Sequence, residues 1–263
     1  MKLFRIAPRG TSQGLSNSRV SPDILDEAVA CRNVTKDFEV GDGSRLRALD
    51  DITLALAPGE LVMLSGPSGC GKTTLLSIIS GILKASSGEV SIFGAAVSRM
   101  KERDQIAFRQ HAIGFVFQQY NLLPALTARE NAAVPLIAAR RARAVALEAA
   151  TDVLERLGMG AFVDALPRQL SGGQQQRIAI ARALVHQPRL ILCDEPTAAL
   201  DAENGRILMR FLRSVALAPD RCVIVVTHDS RISEFADRMI AMEDGRIKSV
   251  RSGAAKRGAQ AVL

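Results

Sequence analysis

The stretch Gly66–Thr74 (GPSGCGKTT) constrains this chain more than any other feature. It fits the pattern G-x-x-x-x-G-K-[ST], with Gly66, Gly71, Lys72 and Thr73 at the fixed positions. Glycines allow a tight turn, successive N–H groups point inward, and a helix N-terminus adds positive potential. Such a loop needs a buried strand before it and a helix after it. Leu61–Ser65 (LVMLS) reads as that strand, and Leu75, Ile78, Ile79 and Ile82 recur at helical spacing behind the loop. Gly66, Pro67, Ser68, Gly69, Cys70, Gly71, Lys72, Thr73 and Thr74 are therefore the candidate phosphate cradle. Lys72 would reach the β- and γ-phosphates, and the Thr73 hydroxyl would meet Mg²⁺. The loop alone specifies only a nucleotide binder.

Two further motifs narrow the reading. Leu190–Glu195 (LILCDE) is an apolar strand ending in two carboxylates. Asp194 would hold the metal, and Glu195 would orient and deprotonate an attacking water. Leu170–Gln174 (LSGGQ) opens a helix that continues through Gln175, Gln176 and Arg177. Ser171, Gly172, Gly173 and Gln174 offer backbone N–H groups at another helix N-terminus. One nucleotide does not need two cradles in one domain, so the second cradle is expected to serve a nucleotide held by another copy.

The rest of the chain reads as an α/β fold with a largely parallel sheet. Strands are expected at Ala28–Val34, Arg45–Leu56, Ile113–Phe117, Leu190–Cys193 and Cys222–Val226, with a helix over Glu203–Val215. Residues 127–158 are Ala-rich and open with a capping box at Thr127 and Glu130, which predicts a helical subdomain over about 118–171.

Composition excludes several classes. No run approaches the roughly 18 apolar residues that span a bilayer. Lys2, Arg5 and Arg9 have no apolar segment behind them, so a secretory signal is not expected. The net charge is +7. Lys2, Arg5, Arg9, Arg19, Arg246, Lys248, Arg251, Lys256 and Arg257 exceed that total by themselves, which leaves the body slightly acidic. The ends, 1–27 and 251–263, are expected to be solvated basic tails around a domain at 28–250. A body without net positive charge is not a nucleic-acid surface. Cys31, Cys193 and Cys222 lie in apolar runs and read as core residues. Cys70 is either an activated thiol at a helix N-terminus or a shielded one.

In order along the chain, Phe38, Gly66–Thr74, Gln118, Leu170–Gln174, Asp194–Glu195, Ala199–Asp201 and His228 resemble the motifs of the ABC transporter ATPases, from about residue 28 to 250. The resemblance implies a P-loop NTPase (RecA-like) core with an antiparallel β subdomain and an inserted helical subdomain. It also implies that Phe38 stacks on adenine, although the family more often has tyrosine there. By the same resemblance Gln118 contacts Mg²⁺ or the attacking water and senses a permease. Asp201 crosses a dimer interface, and His228 meets the γ-phosphate. His111 and His186 match nothing in the family and read as structural.

The segment Gly114–Leu136 resembles the macrolide-exporter and lipoprotein-release group, and CDEPTAALD resembles the branch of the heterocyst glycolipid exporter ATPases. Ala198–Asp201 departs from the GNLD of the macrolide and lipoprotein members, which argues against those two substrates. The implied protein is an ATP-hydrolysing, Mg²⁺-dependent subunit that dimerises in ATP. It would sit at the cytoplasmic face of a membrane through a separate permease, with a membrane-fusion protein as a further partner. Export is favoured over an importer, for example of amino acids. A soluble ABC ATPase acting on DNA or ribosomes fits less well, because there is one cassette and no CxxC pair.

Overall fold

The computed structural model describes residues 27–253 except residue 42. Two sheets make the frame. The smaller is antiparallel in the order β2-β1-β4, from β1 (Val29–Glu39), β2 (Arg45–Leu56) and β4 (Ser87–Ile92). The larger has the order β5-β6-β7-β3-β8-β9. Its strands are β3 (Glu60–Ser65), β5 (Ile113–Val116), β6 (Leu190–Asp194), β7 (Cys222–Val226), β8 (Arg238–Glu243) and β9 (Arg246–Ser252). Every pairing within it is parallel except β8 with β9.

The parallel strands are short and apolar because both of their faces are covered. Alternate residues divide between two cores. Leu61, Met63, Ile191, Cys193, Val223 and Val225 enter one cluster. Val62, Leu64, Leu190, Leu192, Cys222 and Ile224 enter the other. Cys31, Cys193 and Cys222 are core residues as expected, and burial pushes the Cys31 and Cys222 thiols up to about 12.

Six α-helices complete the described fold. They are α1 (Lys72–Ile79), α2 (Glu102–Ala112), α3 (Ala128–Ala138), α4 (Arg143–Arg156), α5 (Gly172–Leu184) and α6 (Ala202–Ala216). The expected capping box starts α3: Thr127 accepts from the Glu130 N–H, and the Glu130 side chain accepts from the Thr127 N–H. The fully buried Asn131 then fixes the preceding segment. Its Nδ2 donates to the carbonyls of Leu123 (3.0 Å) and Leu126 (2.9 Å), and its Oδ1 accepts from the Leu123 N–H (2.7 Å). Residues 118–127 thus approach α3 without helix or strand of their own.

Two expectations need correction. Ile82 does not extend the apolar face of α1, because the helix stops at Ile79 and Ile82 lies beyond it, 53% exposed. The C-terminal basic stretch is not all tail. Arg246, Lys248 and Arg251 stand on β9, and the first two pair with Asp50 and Glu243. Pairing with β8 carries this strand past residue 250 to Ser252. The expected tails at 1–26 and 254–263 lie outside the described residues.

One buried ion pair ties α6 to the sheet. Asp237, 3% exposed, accepts from both Arg213 guanidinium nitrogens and from the Leu61 N–H (2.8 Å). Removing the carboxylate leaves a half-buried cation and a strand donor without partners. Losing one member of such a pair costs about 3–5 kcal/mol. Asp237→Ala is therefore expected to lower the urea midpoint by that equivalent with an unchanged slope. A midpoint within error of the parent would show that the pair contributes little.

Candidate functional site

The register of the large sheet gathers the expected chemistry at one edge. Val226 pairs with Leu64 of β3 on one side and with Asp194 of β6 on the other. The three strands therefore end level, and the loops that follow them are neighbours. Backbone bonds continue past the strands: the Glu195 N–H donates to Val226 O (2.9 Å), and the Thr227 N–H to Leu64 O (3.2 Å).

The loop after β3 requires its glycines. Gly66 has φ +151°, and a Cβ there would lie 2.2 Å from Met242 O. Gly71 has φ +98°, and a Cβ there would lie 2.5 Å from Ala48 O. With Gly71 as N-cap, α1 has no side-chain cap and no acid in its first turn. The first N–H groups of this helix are thus available to an anion. Lys72 Nζ donates back to Gly66 O (2.9 Å) and Pro67 O (2.8 Å), so the ammonium stands inside its own loop. Cys70 is 4% exposed, and this burial favours the shielded alternative for the thiol, whose Sγ lies 3.5 Å from Lys72 Nζ.

Next to the loop, Thr73 Oγ1 donates to Asp194 Oδ2 (3.0 Å). Burial pushes the Asp194 carboxyl upward, and the Thr73 hydrogen bond opposes that shift. A hydroxyl and a carboxylate held this close form a hard-oxygen pair suited to Mg²⁺, which takes one or two protein ligands and completes its octahedron with water and phosphate oxygens.

Glu195 has φ +50°, a costly conformation for a non-glycine residue. Its carboxylate is nearly covered, and Oε1 lies 2.7 Å from Nδ1 of the exposed His228. Lys72, Thr73, Asp194, Glu195 and His228 are thus brought together. Gln118 is exposed just beyond β5 and lines a cleft of about 590 Å³ with Tyr120, Leu122, Pro124, Arg168 and Gln175. Phe38 stands on the small sheet, 37% exposed, with Lys36 Nζ 5.0 Å from its ring centre. His186 bonds to Ile113 O and His111 to Ala107 O, as structural histidines would.

The LSGGQ cradle is separate. Ser171 caps α5 in a reciprocal box, accepting from the Gln174 N–H (3.3 Å) while Gln174 Oε1 accepts from the Ser171 N–H (2.9 Å). It opens on a cavity of about 480 Å³ shared with Gly172, Gly173, Gln174, Arg177, Asp201 and Asn204, and no residue of the Gly66–Thr74 loop lines it. Asp201 caps α6 through the Asn204 N–H (2.9 Å). Sequence reading missed Asn131, Asn204 and Arg182. Arg182, on α5, donates to the carbonyls of Tyr120 and Asn121 and so holds the Gln118 segment against the LSGGQ helix. Asn204 and Arg182 bear no motif signal, whereas Asn131 lies in the Gly114–Leu136 segment that carries the exporter resemblance.

Comparison with known proteins bears on this arrangement. The family model described as "ABC transporter" matches residues 49–198. An ABC transporter ATP-binding protein of Mycobacterium tuberculosis is 44% identical over 205 residues, 78% of this chain and 62% of its own length. The chain thus spans less than two thirds of that relative. The macrolide export ATP-binding/permease protein MacB of Rhodopirellula baltica is 42% identical over 214 residues, 81% of this chain and 31% of its own. The ABC cassette MJ0796 of Methanocaldococcus jannaschii is 41% identical over 224 residues. Its dimeric structure superposes with a TM-score of 0.80, covering 85% of this chain and 98% of that one. Another structure of MJ0796 is a post-hydrolysis dimer bound to ADP and Pi. With the family model covering more than half of it, the chain belongs to the ABC transporter family and carries that family's ATP-binding ATPase cassette.

Proposed function

We propose that this protein binds and hydrolyses ATP at the edge where β3, β6 and β7 end, and that ATP draws two copies together to drive a membrane permease. The observation that carries the reading is the convergence of Lys72, Thr73, Asp194, Glu195 and His228 on the Gly66–Gly71 loop. Loop N–H groups and the α1 N-terminus receive the phosphates, and Lys72 turns from its own carbonyls to the β- and γ-oxygens. Phe38 offers a ring face to adenine. Thr73 and Asp194 would hold Mg²⁺, with Gln118 beside it, and the ion would neutralise charge on the β- and γ-phosphates. Glu195 takes a proton from water as the water oxygen bonds to the γ-phosphorus and the bond to ADP breaks. His228, hydrogen-bonded to Glu195, holds that carboxylate and meets the γ-phosphate.

Ser171, Gly172, Gly173, Gln174 and Asp201 then contact the nucleotide bound to a partner copy. The MJ0796 dimers support this arrangement, because that cassette is similar over nearly its whole length. Among the described residues no helix is long and apolar enough to cross a membrane. A separate permease is the proposed membrane partner, with the cassette at its cytoplasmic face. Similarity to MacB supports export; a lipid or other hydrophobic compound is the proposed cargo, and a membrane-fusion protein is a further proposed partner. The cleft at Gln118, beside the exposed Leu123, is the proposed permease contact.

Three substitutions test the scheme. Glu195→Gln keeps shape but removes the basic oxygen. Hydrolysis should fall by roughly 10²–10⁴ while ATP still binds, and a stable dimer should appear in ATP by size-exclusion chromatography. Near-parental hydrolysis by a protein that stays monomeric would defeat both the base and the sandwich. In the same background, Ser171→Arg should abolish that dimer without weakening binding of a fluorescent ATP analogue to the monomer; an unchanged dimer would remove the LSGGQ turn from the interface. Leu123→Asp should leave nucleotide binding intact yet stop ATP-driven transport in membranes carrying the complete transporter, and normal transport would refute the contact.

A further inference from the structure

The LSGGQ helix and the Asp201 turn are separate elements, yet a run of hydrogen bonds through Arg177 and Asn204 joins them. Arg177, on the second turn of α5, donates through Nη1 to Leu157 O (2.8 Å) just beyond the end of α4. Its Nη2 donates to Asn204 Oδ1 (2.7 Å) on the first turn of α6. Asn204 Nδ2 donates in turn to Asp201 Oδ2 (2.7 Å), while the Asn204 N–H serves Asp201 Oδ1. Arg177, Asn204 and Asp201 line the same cavity of about 480 Å³ as Ser171–Gln174.

The side chain at 204 is chemically specified by its two neighbours. A primary amide has an acceptor at one end and a donor at the other. Here the acceptor faces a guanidinium and the donor faces a carboxylate. A carboxylate of the same shape would satisfy Arg177 but confront Asp201 with like charge, and an aliphatic side chain would satisfy neither. The bonds from Asn204 also hold the Asp201 carboxyl below its usual range, so the anion is kept in place at the rim of the cavity.

We propose that Asn204 is a positioning residue that locks Arg177 on the LSGGQ helix to Asp201, so that the second phosphate cradle and the Asp201 turn meet a partner cassette as one unit. The inference rests on the sandwich reading above and assigns a role that reading does not contain. Nucleotide binding by a single cassette does not use this run of bonds. ATP-driven association does, because the LSGGQ helix and the Asp201 turn that it ties together both face the partner in the sandwich.

The test uses the full chain with Glu195→Gln as parent, adding Asn204→Asp or Asn204→Leu. Dimerisation at saturating MgATP is followed by analytical ultracentrifugation, and binding of a fluorescent ATP analogue is measured on dilute monomer. The protein concentration for half-dimerisation should rise roughly tenfold or more in both variants, the scale of losing a hydrogen bond to a charged group. Analogue affinity should stay within about twofold, and the melting temperature should fall by only a few degrees, the scale of a lost hydrogen bond in a domain of this size. Adding Arg177→Met to Asn204→Leu should cause no further loss, since both break one run of bonds. Parental dimerisation by both variants, or additive losses in the double variant, would overturn the proposal and leave the sandwich standing. Loss of dimer together with loss of analogue binding and melting temperature would overturn it as well, by showing a purely structural role. A parent that stays monomeric in ATP would instead bring down the sandwich, and this proposal with it.

Discussion

Burial of the parallel sheet on both faces is the constraint from which the rest follows. Strands such as β6 and β7 are buried at every position, so neither face can carry polar chemistry. Reactive groups are displaced to the strand ends, and the parallel register decides which ends meet. Val226, paired with Leu64 and Asp194 together, sets the Gly66 loop, Glu195 and His228 side by side although well over a hundred residues separate the first from the last. Ligand sites of open α/β sheets lie at the carboxyl ends of strands for this reason.

The same edge stores local strain. Gly66 and Gly71 adopt conformations that only glycine tolerates against Met242 O and Ala48 O, and Glu195 holds a positive φ with a full side chain. Such a residue persists only where its surroundings fix it. Its N–H is bound to Val226 O and its carboxylate lies against His228, so two contacts from β7 and the loop that follows it offset the conformational cost of roughly 1–3 kcal/mol. A carboxylate poised in this way is aimed before any nucleotide arrives.

How much of this was legible in the sequence follows from the range of each interaction. The strands LVMLS, LILCD and CVIVV announce themselves because double burial makes them uniformly apolar. The loop and the LSGGQ turn are legible because their chemistry is made by consecutive residues. Ile82 misled because helical spacing continues past the point where Gly81, at φ +68°, ends the helix region. Strand β9 was hidden because exposed basic residues alternate along it, and only pairing with β8 orders it. The bonds of Asp237, Asn131 and Asn204 were invisible for a different cause. Each is a single polar residue whose partners come from another element or from backbone, and neither spacing nor composition encodes such partners.

The two cradles also differ in how much of each helix end is left for an anion. α1 begins at an uncapped glycine, so the N–H groups of Lys72, Thr73 and Thr74 face the loop without a side chain to satisfy them. α5 begins at Ser171, whose hydroxyl already takes the Gln174 N–H, leaving those of Gly172 and Gly173. Lys72 stands inside the first cradle on the carbonyls of its own loop, whereas Arg177, the guanidinium lining the second cavity, ties together Leu157 and Asn204 from other elements. Fewer free N–H donors and a cation bound up between elements make the second cradle the weaker anion site on electrostatic grounds. A weak site does not capture nucleotide from solution, but it contributes when a phosphate is presented to it at a fixed position, where most of the entropic cost of binding has already been met. The unequal ends of α1 and α5 therefore fit one cradle for holding a nucleotide and the other for recognising one that is already held.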